Sequence, residues 1–282
     1  MLNPRNQLYR FAQLDVRKAS AFIKKEFFIE ISYKFAFLLN IFAIFAWVLT
    51  FYFIDRLFGD RVVPYLQPYG VNYFSYVLLG IAFFTYVGTG VGSLSNRIRE
   101  EQMMGTLEAV LVTPTKTSTM LISMGLWNFL WASFSVLIYL LLGAFLFQVD
   151  LTNTNLLSAS VVLLLTVLSF SSLGLLAASF IIVLKRGNPV TWAINTSFEL
   201  LGGVYFPITV LPGWLRTISY LLPVTYSIRA MQLAVYKGYS LRALAPDIIA
   251  LIIFSVVLLP LGILAFEHAL KRAKIDGSLI HY

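Results

Sequence analysis

The sequence predicts an all-α membrane protein with six transmembrane helices, and three observations carry that prediction. Of its 282 residues 59% are apolar and only 12% charged, with a mean hydropathy of +0.81, so a water-soluble globule of this size lacks the interior to hide its apolar surface. The chain divides into uncharged stretches long enough to cross a bilayer core of ~30 Å, which needs about 20 helical residues. Its basic residues, 21 against 13 acidic, cluster beside those stretches. The excess therefore points to anionic lipid headgroups rather than to nucleic acid. The absence of cysteine excludes disulfides, thiol catalysis and cysteine-ligated zinc.

Ahead of the first span, residues 8–32 have helical character. Arg10, Arg17, Lys18, Lys24 and Lys25 gather on about a third of the wheel, with Phe11, Ala19, Phe22 and Ile23 opposite. This reads as a helix lying on the inner leaflet. Asp15, Glu26 and Glu30 project from its apolar side, so either the helix breaks near Ser20 or that side meets a protein; a simple membrane-entry anchor is the plainer alternative. Charged residues fill the first 34 positions where a cleavable signal peptide would place its apolar region.

The first span is expected over about 35–56. A loop carrying Pro64, Pro68 and Gly70 should separate it from the second, 72–95. The third and fourth, 117–148 and 155–184, meet at Asp150 and the polar residues 152–155, a tight hairpin with a cap ready for the next helix. The fourth is rich in small residues (Ser169, Ser172, Gly174, Ala177, Ala178), which suits a helix inside the bundle. The fifth opens on Asn188 and Pro189, a cap followed by the residue best tolerated in a first turn, and runs to Phe206, where Pro207 stops it. The sixth, about 246–268, carries Pro260, which should kink it.

Between the last two spans, residues 207–244 are too apolar for an ordinary loop. Only twelve uncharged residues separate Arg216 from Arg229; as helix these cover about 18 Å, too short to cross. Pro207, Pro212 and Pro223 punctuate the stretch, and Trp214 suits an interface. Two short re-entrant helices are one reading, an amphipathic surface loop the other. With a cytoplasmic N-terminus, fifteen of the 21 basic residues fall inside and both termini are cytoplasmic.

Residues 96–116 form the long charged loop between spans. Met103, Met104, Leu107, Val110 and Leu111 recur at three- and four-residue intervals, with Glu100, Glu101 and Glu108 elsewhere on the surface, until Pro114. So short an amphipathic helix has too little area to stabilise itself, which implies a docking partner. The alternative is a helix lying on the membrane.

No phosphate-binding glycine loop with its lysine occurs. Gly88-Thr-Gly-Val-Gly-Ser sits inside a span, where Gly88 and Gly92 suit close helix packing instead. His268 and His281 form no metal-ligand set, and no nucleophile has a plausible base. The expectation is a chain without catalytic, cofactor or metal residues. Glu199 stands apart: it falls about ten residues into the fifth span, where a charge costs roughly 2.5–3.5 kcal/mol. It either lines a transport route or makes a structural hydrogen bond between helices, with Arg229 as a candidate partner.

The stretch Glu101-Gln-Met-Met-Gly-Thr-Leu-Glu108 with Thr113-Pro114, the run Gly202-Gly-Val-Tyr-Phe-Pro-Ile-Thr-Val-Leu-Pro-Gly-Trp-Leu-Arg, then Leu222-Pro-Val-Thr-Tyr-Ser-Ile-Arg and Tyr236-Lys-Gly, resemble the ABC-2 type transporter permeases. The resemblance covers nearly the whole chain. It implies a membrane subunit of an inner-membrane exporter of drugs, lipids or lipid-linked polysaccharides, powered by ATP and magnesium held on a separate ATPase present in two copies. It also implies a second permease copy, a homodimer being the natural inference. Residues 1–33 would be the connecting helix, and Glu100, Glu101, Met104, Gly105, Leu107, Glu108 and Leu111 the ATPase-coupling segment. Phe206, Pro207, Leu211, Pro212, Trp214, Pro223 and Arg229 would belong to the outer gate. Glu199 departs from the family pattern and takes no role from it. A secondary transporter or a channel-like subunit without an ATPase are the rival classes.

Overall fold

The computed structural model describes residues 32–105, 117–184 and 189–275, with isolated positions before residue 32. The connecting helix and most of the second half of the coupling segment lie outside the described residues, which form helices and turns and no strand. In order these are α1 (Lys34–Leu66), α2 (Tyr73–Met103), α3 (Thr117–Leu141, continued by a π-turn Leu142–Leu146), α4 (Leu156–Leu184), α5 (Pro189–Leu201), a 3-10 turn (Ile208–Val210), α6 (Gly213–Tyr220), α7 (Pro223–Tyr236) and α8 (Ala245–Ile275). Helices α1, α2, α3, α4 and α8 are each long and apolar enough to cross a membrane. Between α5 and α8 lie the two short helices α6 and α7.

Helix starts follow local chemistry. Asn72 accepts from the Ser75 N–H at 2.9 Å to cap α2, and Asn155 accepts from the Ser158 N–H at 3.0 Å to cap α4. At the α3–α4 turn Asp150 takes the hydroxyl of Thr152 at 2.6 Å and its N–H at 2.9 Å. Those bonds hold its carboxyl below the usual range.

Helix ends depart from expectation in four places. Helix α1 continues through Pro64 to Leu66 rather than ending near residue 56; a proline so near a helix end forfeits little of the backbone ladder. The turn falls at 67–72 instead, with Gly70 at φ +69°. The third span widens from α-helix to a π-turn at Leu142. Helix α5 stops at Leu201, short of Phe206, because Gly203 takes φ +84°. Helix α2 does not stop near residue 95 but runs unbroken to Met103, absorbing the first half of the expected coupling helix.

Helix α4 is the packing centre. Ser169, Ser172, Ala177 and Ala178 are buried, and Ser169 shares a 2.7 Å hydrogen bond with Ser255 of α8. The close approach expected of Gly88 and Gly92 is made by other glycines. A Cβ on Gly174 would lie 2.3 Å from the Gly90 carbonyl oxygen, and one on Gly90 would lie 2.6 Å from the Phe170 Cβ. Gly88 has nothing within 4 Å of such an atom. Residues 88 and 90 stand two positions apart on a helix, hence on different faces, and the face bearing Gly90 meets α4.

Gly174→Ala should therefore lower thermal stability in detergent by the equivalent of ~1–3 kcal/mol, since backbone rather than a flexible side chain must yield. Gly88→Ala should leave it within about 0.5 kcal/mol. Equal midpoints for the two variants in a thermal-shift assay would contradict this assignment of the helix contact.

Candidate functional site

One face of α2 is polar through half its length. Thr85, Gly88, Thr89, Gly92, Ser93 and Asn96 recur at three- and four-residue spacing and continue into Arg97 and Glu100. With Trp127, Asn128 and Trp131 of α3 they enclose a groove of about 650 Å³. An apolar groove of about 660 Å³, lined by Phe37, Leu130 and Phe134 among others, shares the two tryptophans as a wall. The polar face was hidden in the sequence by its glycines and hydroxyls, which serve packing and hydration equally. Its continuation into Asn96 and Arg97 was the available sign.

The groove leads to the end of α2. Arg97 and Glu100 pair at 3.3 Å, Gly105 at φ +68° closes the helix, and Met103 and Met104 stand 63% and 71% exposed. Glu101 lies in this helix, its side chain outside the described set; Leu107, Glu108 and Leu111 lie outside the described residues altogether.

The opposite end is packed. Helix α7 is buried along most of its length, including Pro223. Gln232 donates to the Tyr76 carbonyl at 3.3 Å, and Tyr236 donates to the Ser75 carbonyl. Tyr76 in turn donates to the Gly203 carbonyl at 2.8 Å. Between α7 and the turn after α5, the remaining cavity is about 10 Å³, at the limit for a single water. The expected gate residues differ in burial. Pro207 is buried, Phe206 and Leu211 are half-buried, Pro212 is exposed, and Trp214 on α6 is 68% exposed.

Arg229 donates from Nε to Asp247 Oδ1 at 2.9 Å and again from its terminal nitrogen, tying α7 to the start of α8. Its guanidinium also lies 5.5 Å from the Tyr226 ring centroid. The pairing considered between Arg229 and Glu199 does not form. Asp247, in the first turn of α8, is the nearly buried partner, and no sequence pattern links it to Arg229 across 18 positions. Glu199 is half-buried on α5 and accepts from the Tyr205 hydroxyl. No group of three or more His, Cys, Asp or Glu residues suited to a metal occurs among the described residues.

The family model for "ABC-2 type transporter" matches residues 17–236. The chain is 24% identical over 185 residues to the inner membrane transport permease YadH of Escherichia coli strain K12, covering 64% of this chain and 69% of that protein. The YadH proteins of Escherichia coli O157:H7 and Shigella flexneri match equally.

The ion pair is asymmetric in burial, so removing one side strands a charge. Asp247→Asn should destabilise by ~2–3 kcal/mol, toward the low end because Arg229 is about a third exposed. Arg229→Met with Asp247→Leu together should lose less, measured as thermal midpoints in one double-mutant cycle. A double variant worse than the sum of its parents would contradict this account.

Proposed function

The chain belongs to the ABC-2 type transporter family, and on that premise we propose that it is the membrane-spanning permease of an exporter driven by a separate ATPase. The family and the YadH relatives make it a transport permease of the inner membrane; direction, substrate and subunit composition are our reading. The observation that carries it is the contrast along one helix. At one end α2 borders an open polar groove of about 650 Å³, and at the other it is packed against α7 with about 10 Å³ left. Such a protomer suits the inward-facing state of an alternating-access cycle.

In this reading α5 completes a sixth crossing together with the turn that follows it, and α6 and α7 dip into the outer leaflet and return. Both termini then face the cytoplasm. Two copies of the chain flank the route, with Glu199 on its wall, and two ATPase subunits dock below. The cargo is a drug, a lipid or a lipid-linked polymer. ATP and magnesium act on the partner, and this chain contributes no catalytic group. Because α2 is continuous from the groove to Met103, force applied at the exposed methionines and the segment beyond them reaches the groove without an intervening hinge.

Replacing Leu107 and Glu108 together should leave membrane insertion intact while lowering permease-stimulated ATP hydrolysis at least about tenfold, a coupling loss of ~1.4 kcal/mol. Co-purification of the ATPase should fall with it. Persistence of both with the double variant would remove this segment from the coupling role, and absence of any co-purifying ATPase with the unaltered chain would remove the exporter reading.

A further inference from the structure

Glu199 has a neighbour that sequence reading did not single out. Asn195 lies one turn earlier on α5, on the same face, and its amide oxygen is out of contact with solvent and accepts no hydrogen bond. Tyr205 is the sole donor to Glu199 among the described residues, while an ionised carboxylate offers about four acceptor positions. Two oxygen acceptors about 6 Å apart along the axis therefore share one strip of a helix in the apolar part of the molecule. Among the described residues no basic residue pairs with either: Arg229 is committed to Asp247.

Aromatic rings border the strip. Tyr205 stacks on Phe51 with centroids 5.5 Å apart, and Phe51 stacks on Trp47 at 6.0 Å, both pairs within 16° of parallel. Phe51 and Tyr205 are half-buried and Trp47 is 53% exposed, so the stack is open on its outer side. An amide oxygen without a donor, a carboxylate with a single donor and ring faces beside them define a complementary solute. An anion is repelled. A neutral solute leaves the carboxylate uncompensated. A bare metal ion needs more oxygens than one carboxylate and one amide provide.

We propose that the α5 strip of Asn195 and Glu199, with Tyr205, Phe51 and Trp47, binds an organic ammonium ion carrying aryl or alkyl bulk. The ammonium N–H groups bond the Asn195 oxygen and the free carboxylate oxygen of Glu199, and the apolar body lies along the ring stack. The proposal deepens the transport reading by naming a substrate class for the Glu199 wall, and it rests on that reading for its place in the route.

The test uses the full chain in lipid nanodiscs and two probes of equal bulk, a dansylated alkylamine with a free terminal ammonium and its N-acetylated, uncharged counterpart. Fluorescence anisotropy titrations are corrected against empty nanodiscs. The charged probe should bind at least about tenfold tighter than the acetylated one. Glu199→Gln should abolish that preference, Glu199→Asp should keep part of it, and Asn195→Ala should weaken the charged probe severalfold. Equal affinity for the two probes on the unaltered chain would overturn the proposal, as would an undiminished preference in Glu199→Gln. A preserved preference without ATP-driven movement of the probe in vesicles containing an ATPase partner would support the site and count against the exporter reading.

Discussion

The approach of α2 to α4 at Gly90 and Gly174 is the contact on which the other helices depend. In lipid there is no hydrophobic gain from bringing two apolar helices together, so association rests on close packing and on hydrogen bonds between helices. Gly174 brings its backbone against the Gly90 carbonyl, and on another side of α4 the Ser172 carbonyl would lie 2.7 Å from a Cβ on Gly262 of α8. Helix α4 is thus held by backbone contact to two neighbours at once. That arrangement fixes which face of α2 is consumed by packing. The face that remains carries Thr85, Thr89, Ser93 and Asn96, and it becomes one wall of the groove.

Helix α7 illustrates a second constraint. A short helix buried in a membrane protein cannot leave its terminal backbone groups to lipid. Pro223 opens it without an N–H to satisfy. At the other end the Asn155 N–H donates to the Ala234 carbonyl at 3.0 Å, and the Thr154 hydroxyl donates to the Val235 carbonyl at 3.3 Å. The α3–α4 hairpin is therefore also the C-terminal cap of α7. The turn before α7 is tied by Thr225 to the Ser219 carbonyl at 2.6 Å and by Tyr226 to the Tyr220 carbonyl at 2.8 Å. Closure of this end is the sum of local satisfactions, and opening it must break several together.

Much of this was legible in the sequence. Uncharged runs mark α1, α2, α3, α4 and α8 because bilayer thickness sets a length that few other constraints demand. Asp150 and the polar residues 152–155 announced the α3–α4 turn because a capping oxygen acts on its own neighbours in the chain. What could not be read depends on neighbours in space. Gly88 and Gly90 belong to one motif, and only the position of α4 decides which of them packs. Apolarity persists through residues 202–206 although the helix has ended, because hydropathy does not register the positive φ of Gly203. Arg229 was matched with Glu199 as the conspicuous intramembrane acid, whereas its partner in the fold is Asp247 at the start of α8. Of the polar face of α2 only Gly88 and Gly92 were weighed, as packing residues, and the face as a whole becomes visible only as the wall of a groove.

Helix α5 has a mechanical relation to α2 that follows from its two ends. Near its start Thr191 and Ser95 share a buried hydrogen bond of 3.1 Å. Beyond its end Tyr76 donates to Gly203 at 2.8 Å, and the Val204 carbonyl oxygen sits where a Cβ on Gly80 would be only 2.3 Å away. The segment from Thr191 to Val204 is therefore pinned to α2 at points separated by much of the length of both helices. Two such attachments oppose relative rotation as well as sliding of α2 and α5. Helix α3 also packs on α2 away from the groove, at the Tyr86–Ser133 hydrogen bond of 2.9 Å and where a Cβ on Gly143 would lie 2.3 Å from a Leu78 methyl.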